Sequence, residues 1–168
     1  MAIVEVDHLS FAYAAEAGCP SCEALAPVSF SIEEGAFCLL VGSTGSGKTT
    51  LLRAMKPELA PVGAFGGSLS VLGVPLVREG ERVTGLPPAE SARQIAFVSQ
   101  DPGAQIVCDT VWHEIAFGLE NLGVAPDEMR RRVAEAAHFL GIEPWVRKRT
   151  EDISGGQQQL VNLAGVLA

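Results

Sequence analysis

Apolar and polar positions alternate from Ile3 to Phe11, through Val4 and Val6, and then drift out of step, which predicts a half-exposed β-strand. Glycine, two prolines and serine between Gly18 and Pro27 predict a loop, after which Val28, Phe30 and Ile32 alternate again as a second strand with one buried face. Beyond a turn at Glu33-Glu34-Gly35, the run Phe37-Cys38-Leu39-Leu40-Val41 shows no alternation. Such a run suits a parallel strand covered on both faces and predicts the central strand of a sheet. Leu51, Leu52 and Met55 recur at helical spacing within Thr49 to Leu59, and Ser68 to Leu72 alternates like an outer strand before Gly73 turns it. Ile95 to Val98 predicts another short buried strand, which delivers Gln100 to a loop at Ser99-Gln100-Asp101-Pro102. Residues 75 to 92 carry charges and the pair Pro87-Pro88 without a period, and predict a loop.

The rest of the chain predicts helices. The first, capped near Asp109, sets Val111, Ile115, Leu119 and Leu122 on one face and leaves Trp112 off that stripe. The second starts around Pro126-Asp127, holds Met129, Val133, Ala136 and Leu140 in register and stops at Gly141. Arg130, Arg131 and Arg132 are adjacent on it and cannot share a face, so they are expected to be solvated rather than to bind phosphate. The third opens at Ile153-Ser154-Gly155-Gly156-Gln157-Gln158-Gln159 and continues with Leu160, Leu163, Ala164 and Leu167 at helical spacing.

Size and charge narrow the picture. A chain of 168 residues suffices for one compact domain. The run Phe37 to Val41 is far shorter than the roughly 20 residues of a membrane-spanning helix, and MAIVEVDHLS has acidic residues and no basic start, so a cytoplasmic location is expected. The formal net charge of −8 repels nucleic acid, and no nucleic-acid partner is expected. Cys19 and Cys22 form a CxxC pair, but Cys38, Cys108, His8, His113 and His138 supply no second pair at ligand spacing. Free thiols are therefore the expected state, with zinc the minor alternative.

The candidate chemistry begins directly after the predicted central strand. Gly42-Ser43-Thr44-Gly45-Ser46-Gly47-Lys48-Thr49-Thr50 fills every fixed position of the GxxxxGK[ST] phosphate-loop pattern. Residue frequencies put that pattern in about one chain of this length in two hundred by chance. Gly45 and Gly47 let the backbone curl so that successive amides along Ser43 to Thr50 point inward at phosphate oxygens. Lys48 can reach the β- and γ-phosphates, the Thr49 hydroxyl can ligate Mg²⁺, and the helix start adds its dipole, so a nucleoside triphosphate is the expected ligand. Ser154-Gly155-Gly156 is a second glycine-rich helix start, where a hydroxyl and two bare amides can converge on an anionic oxygen. Taken alone, that turn is as well explained as a structural cap.

A phosphate loop, a glutamine in a loop and an SGGQ helix start in this order and spacing resemble, over the whole chain, the ATP-binding subunits of ABC transporters with their Walker A loop, glutamine loop and LSGGQ signature. The stretches Gln100-Asp101-Pro102 to Gln105, Asp109-Thr110-Val111 and Glu114 to Leu119 are most similar to those of energy-coupling-factor and cobalt-type importers. The resemblance implies an α/β fold: a P-loop NTPase (RecA-like) core with an antiparallel β subdomain and an inserted α-helical subdomain. It implies a β subdomain and P-loop core over residues 1–100, a helical subdomain over 101–156 and the signature helix over 157–168. It also implies an adenine-stacking role for Tyr13, for which a core position is equally consistent with the sequence. Lys48 and Gln100 become the catalytic candidates, Thr49 and Gln100 the Mg²⁺ candidates, and Ser154, Gly155, Gly156 and Gln157 the signature facing ATP on a second subunit. ATP and Mg²⁺ are the implied cofactors. A second ATPase subunit, identical or related, arranged head to tail, and membrane-spanning transporter subunits are the implied partners, which places the protein on the inner face of the cell membrane. The implied function is to couple ATP binding and hydrolysis to import of a small solute such as a vitamin or metal ion.

Three departures from the family pattern stand out. Ile153 replaces the signature leucine, Leu160 stands where a basic residue is frequent, and the chain ends at Ala168, before the strand that carries the Walker B carboxylates. The expectation is a fragment that hydrolyses ATP negligibly alone and exposes apolar surface. The alternatives are a non-transport ABC ATPase of DNA repair or chromosome maintenance, for which no heptad insertion is present, and a nucleotide-binding interaction fragment without catalysis.

Overall fold

The computed structural model describes residues 2–14, 22–83 and 85–168, which form two compact units, up to Ile95 and from Ala96 onward. The first unit is a five-stranded antiparallel sheet in the order β2-β1-β3-β4-β5. Its strands are β1 (Ala2–Tyr13), β2 (Cys22–Glu33), β3 (Gly63–Val71), β4 (Val74–Arg78) and β5 (Glu81–Arg82). Val6, Leu9 and Phe11 of β1 are buried together with Leu25, Leu69, Val71, Leu76 and Val77. The step from Val6 to Leu9 breaks the period of two because the ladders on both sides of β1 shift register there, with His8 at φ 47. That irregularity is the drift visible in the sequence.

Helix α1 (Lys48–Ala54) packs Leu51 and Ala54 into this core. Helix α2 (Pro88–Gln94) starts on a proline, which suits a first helical position, and is fastened to the end of α1 by a polar cluster. The Lys56 Nζ donates to the Ile95 carbonyl at 2.7 Å, and the fully buried Ser91 donates its hydroxyl to the Glu58 carboxylate at 2.8 Å. Partial burial pushes Glu58 up, but hydrogen bonds from its own backbone and from Ser91, with Lys56 at 3.5 Å, outweigh it and hold its carboxyl below the usual range.

The second unit is helical. Helices α3 (Val111–Asn121), α4 (Pro126–Phe139) and α5 (Gly155–Leu167) bury Val111, Ile115, Leu119, Val133, Ala136, Val161 and Ala164 in a separate core. Trp112 packs against the edge of this core. Thr110, next to the expected Asp109, caps α3 by accepting from the His113 amide. Gly141, at φ 67, follows the end of α4. Arg130, Arg131 and Arg132 pair with Asp127, Glu128 and Glu135 of their own helix, as a solvated face does.

Five expectations are corrected. Phe37–Val41 is not a strand: no described strand pairs with it, and Phe37 and Val41 are 95% and 74% exposed. Ile95–Val98 likewise lies outside every ladder among the described residues. An apolar run becomes a buried strand only where neighbours supply both hydrogen bonds and cover, and no described segment supplies them here. Residues 75 to 92 hold the β4–β5 hairpin and α2 instead of a loop. The turn of that hairpin, Glu79-Gly80, puts a non-glycine residue at positive φ, and Leu76 and Val77 are both buried, which hides the strand period. On α5 the buried face is Val161, Asn162 and Ala164, while Leu167 is exposed, because α3 and α4 cover the adjacent stripe. The loop predicted over Gly18–Pro27 lies partly outside the described residues, and β2 occupies its second half from Cys22.

Candidate functional site

The phosphate-loop residues Gly42 to Gly47 lead into α1, whose first backbone bond runs from the Leu51 amide to the Gly47 carbonyl at 2.8 Å. The Lys48 ammonium folds back over the loop. It donates to the Gly42 carbonyl at 2.8 Å, the Ser43 carbonyl at 2.7 Å and the Ser46 hydroxyl at 3.3 Å, closing the segment into a ring. The Ser46 amide bonds the Ser43 carbonyl at 3.2 Å and tightens the turn. Gly45 and Gly47 have φ of 83 and 84, a region that L side chains pay to enter. At Gly47 a side chain is excluded twice over, because a Cβ there would run into the Ala24 carbonyl of β2.

Tyr13, Ala24, Gly45, Ser46, Gly47, Lys48, Thr49 and Thr50 line a cleft of about 250 Å³. Seven sequence-predicted positions thus meet in one place. Ser43 and Thr44 lie outside the lining, Ser43 serving through its carbonyl. Tyr13 is 43% exposed at the end of β1, its ring edge-on to the buried Phe11 at 4.9 Å. Ala24, which meets Gly47, carried no sequence signal. Among the described residues of this lining, Lys48 is the only charged one. A lone cation beside inward-curling glycine backbone, rimmed by the exposed Thr49 hydroxyl and an aromatic face, suits a phosphorylated nucleotide. Among the described residues no cluster of His, Cys, Asp or Glu could hold a metal by itself. Thr49 fits Mg²⁺ as one hard oxygen ligand of an ion that keeps waters and phosphate oxygens around it.

The second unit carries the other candidates. Gln100 is exposed, in a loop with two braces. The Gln105 side-chain amide accepts from the Ser99 amide at 2.7 Å and donates to the Phe97 carbonyl at 3.2 Å. Ser154 caps α5 in a capping box: the Gln157 amide donates to its hydroxyl at 3.4 Å, and its own amide donates to the Gln157 side chain at 2.9 Å. Gln157 is therefore explained by the cap itself. Gly155 and Gly156 are not explained that way, since they hold no positive φ and a Cβ added to either meets nothing within 4 Å. Their bareness leaves two helix-start amides open to solvent.

Cys22 and Cys38 are exposed free thiols and Cys19 lies outside the described residues. Burial, with Glu114 nearby, raises the Cys108 thiol above its ordinary value. No helix among the described residues is long and apolar enough to cross a membrane.

Residues 25–168 match the ABC transporter family. The chain is 41% identical over 167 residues to a putative ABC transporter ATP-binding protein of Bacillus cereus, covering 99% of this chain and 28% of that protein. It is 37% identical over 166 residues to the energy-coupling factor transporter ATP-binding protein EcfA1 of Ligilactobacillus salivarius, covering 99% of this chain and 54% of that one. The solved structure of cbiO1 from Clostridium perfringens, part of the ABC transporter complex cbiONQ, superposes with a TM-score of 0.74 at 27% identity, covering 99% of this chain and 61% of that chain. This chain thus spans less than two thirds of the length of each of the three. The fold is that of an ABC ATPase cassette of the P-loop NTPase class. With that match over most of its length, the chain belongs to the ABC transporter family, among its ATP-binding proteins.

Proposed function

We propose that the whole protein is the ATP-binding subunit of an importer of the energy-coupling-factor or cobalt type, binding and hydrolysing ATP to drive uptake of a small solute such as a vitamin or metal ion. The observation that carries the reading is the Lys48 ring in its cleft. A positively charged loop held closed by its own carbonyls is ready to exchange those acceptors for phosphate oxygens. In this reading Lys48 contacts the β- and γ-phosphates, the loop from Ser43 to Thr50 supplies backbone donors, and Tyr13 stacks on the adenine. Thr49, with Gln100, would hold Mg²⁺, whose chemistry is to neutralise charge on the β- and γ-oxygens. Ser154 and the bare amides of Gly155 and Gly156 address the nucleotide of a second ATPase subunit in a head-to-tail pair, and membrane-spanning subunits dock from the cytoplasmic face of the membrane. The domain reading is the one set out from the sequence, with the β subdomain and P-loop core over 1–100, the helical subdomain over 101–156 and the signature helix over 157–168.

The test is calorimetric titration of the chain with Mg-ATP beside Lys48→Ala. A charge-assisted hydrogen bond is worth about 1.5–3 kcal/mol, so the variant is expected to bind at least about tenfold more weakly. Equal affinities would overturn the reading.

A further inference from the structure

The Gln100 loop is tied to the signature helix by two amide side chains for which neither the phosphate loop nor the capping box has a use. Asn162, on the inner face of α5, is 4% exposed and donates its Nδ2 to the Pro102 carbonyl at 3.0 Å. One turn earlier, the Gln159 Nε2 donates to the Ser99 carbonyl at 3.2 Å. The two bonds bracket Gln100 and Asp101 on both sides. The Pro102 carbonyl also accepts from the Gln105 and Ile106 amides at 3.2 and 3.3 Å, so Asn162 grips the loop at the point where its own turn closes. Ser99 adds a bond from its hydroxyl to the Asp101 carbonyl at 2.7 Å.

The cost of this arrangement shows that it is not a packing convenience. The Gln159 Oε1 and Asn162 Oδ1 are both buried without a hydrogen-bond partner among the described residues. A buried acceptor left unpaired is unfavourable, and an apolar residue of similar size at either position would avoid it. Asn162 is buried on α5 together with Val161 and Ala164, on a face that otherwise carries apolar side chains. What an apolar residue could not supply is the donor to Pro102.

We propose that Asn162 and Gln159 are positioning residues that lock the Gln100 loop to the signature helix, so that Gln100 and Ser154 move as one rigid body. The role of Gln100 at the nucleotide rests on the function proposed above; the lock itself does not. Displacing the helix start that carries Ser154 then displaces Gln100 with it.

Two measurements on the chain test this, using Asn162→Ala, the near-isosteric Asn162→Leu and Gln159→Met. The first is hydrogen exchange of the Ser99, Gln105 and Ile106 amides without nucleotide. Losing one buried hydrogen bond is expected to speed their exchange by up to about tenfold, while the α5 amides keep their protection. Unchanged loop exchange in a folded Asn162→Leu overturns the lock. The second compares ATP affinity with and without Mg²⁺. The variants are expected to lose affinity for Mg-ATP and keep that for metal-free ATP, as Gln100→Ala does, and the double variant Gln100→Ala with Asn162→Leu is expected to lose no more than either alone. Equal losses with and without Mg²⁺ mean general damage and overturn the positioning role. If the unsubstituted chain binds no ATP, the functional reading fails and the exchange measurement alone decides the lock.

Discussion

Alanine at Gly155 and Gly156 is expected to make the chain more stable while blocking the two helix-start amides that the proposed function uses. Both residues are helical, neither holds a positive φ, and an added Cβ at either meets nothing within 4 Å. Glycine in a helix interior costs about 0.5–1 kcal/mol relative to alanine. A first-turn position feels part of that, so the pair should add about 1 kcal/mol of stability. For a unit the size of Ala96–Ala168 this raises the thermal midpoint by about 4–8 °C. The assay is far-UV circular dichroism melting of the single and double variants. A fall in midpoint would show that the fold itself needs the glycines, and the argument that their bareness serves an external oxygen would collapse. With stability raised, the same variants should weaken ATP-dependent pairing of two chains, because the methyl groups occupy the approach to the helix-start amides.

At Gly47 the opposite is expected. Alanine there must hold a left-handed φ, which costs about 1–2 kcal/mol, and must push the Ala24 carbonyl aside, so denaturant unfolding should show a loss of roughly 2–4 kcal/mol. Ile115→Ala opens a void in a fully buried position between α3 and its neighbours, and a loss of about 2–5 kcal/mol is expected in the same measurement. Glu58 is held below its ordinary value of 4.5, so its contribution is present above that pH and is lost as pH falls through the lower folded value. Glu58→Gln should therefore lower the thermal midpoint near neutral pH and make no difference well below about pH 4.5; a pH-independent gap between the two proteins would refute the assignment.

What the sequence revealed of the site was what is encoded locally. The Lys48 loop and the Ser154 cap each lie within nine residues or fewer, and the residues that define them also make their bonds. Strands were harder, because a strand is a relation between segments. Phe37–Val41 has the composition of a central strand and no described neighbour to pair with, whereas the β4–β5 hairpin was hidden by a turn that uses Glu79 at positive φ in place of asparagine or aspartate. Gln105, Gln159 and Asn162 were invisible for the same reason. Each acts through a backbone carbonyl or amide that any residue could present, up to 60 positions away in the chain.

The separation of the two cores decides what a spectroscopist will see. The chain has two tryptophans and one tyrosine. Trp112 and Trp145 both pack on the helical core, and Tyr13 sits at the end of β1 in the sheet unit. Tryptophan emission in a melt therefore records the helical half alone, and the near-ultraviolet signal of Tyr13 records the other. A single transition seen by emission says nothing of cooperativity until the tyrosine signal is found to move at the same temperature.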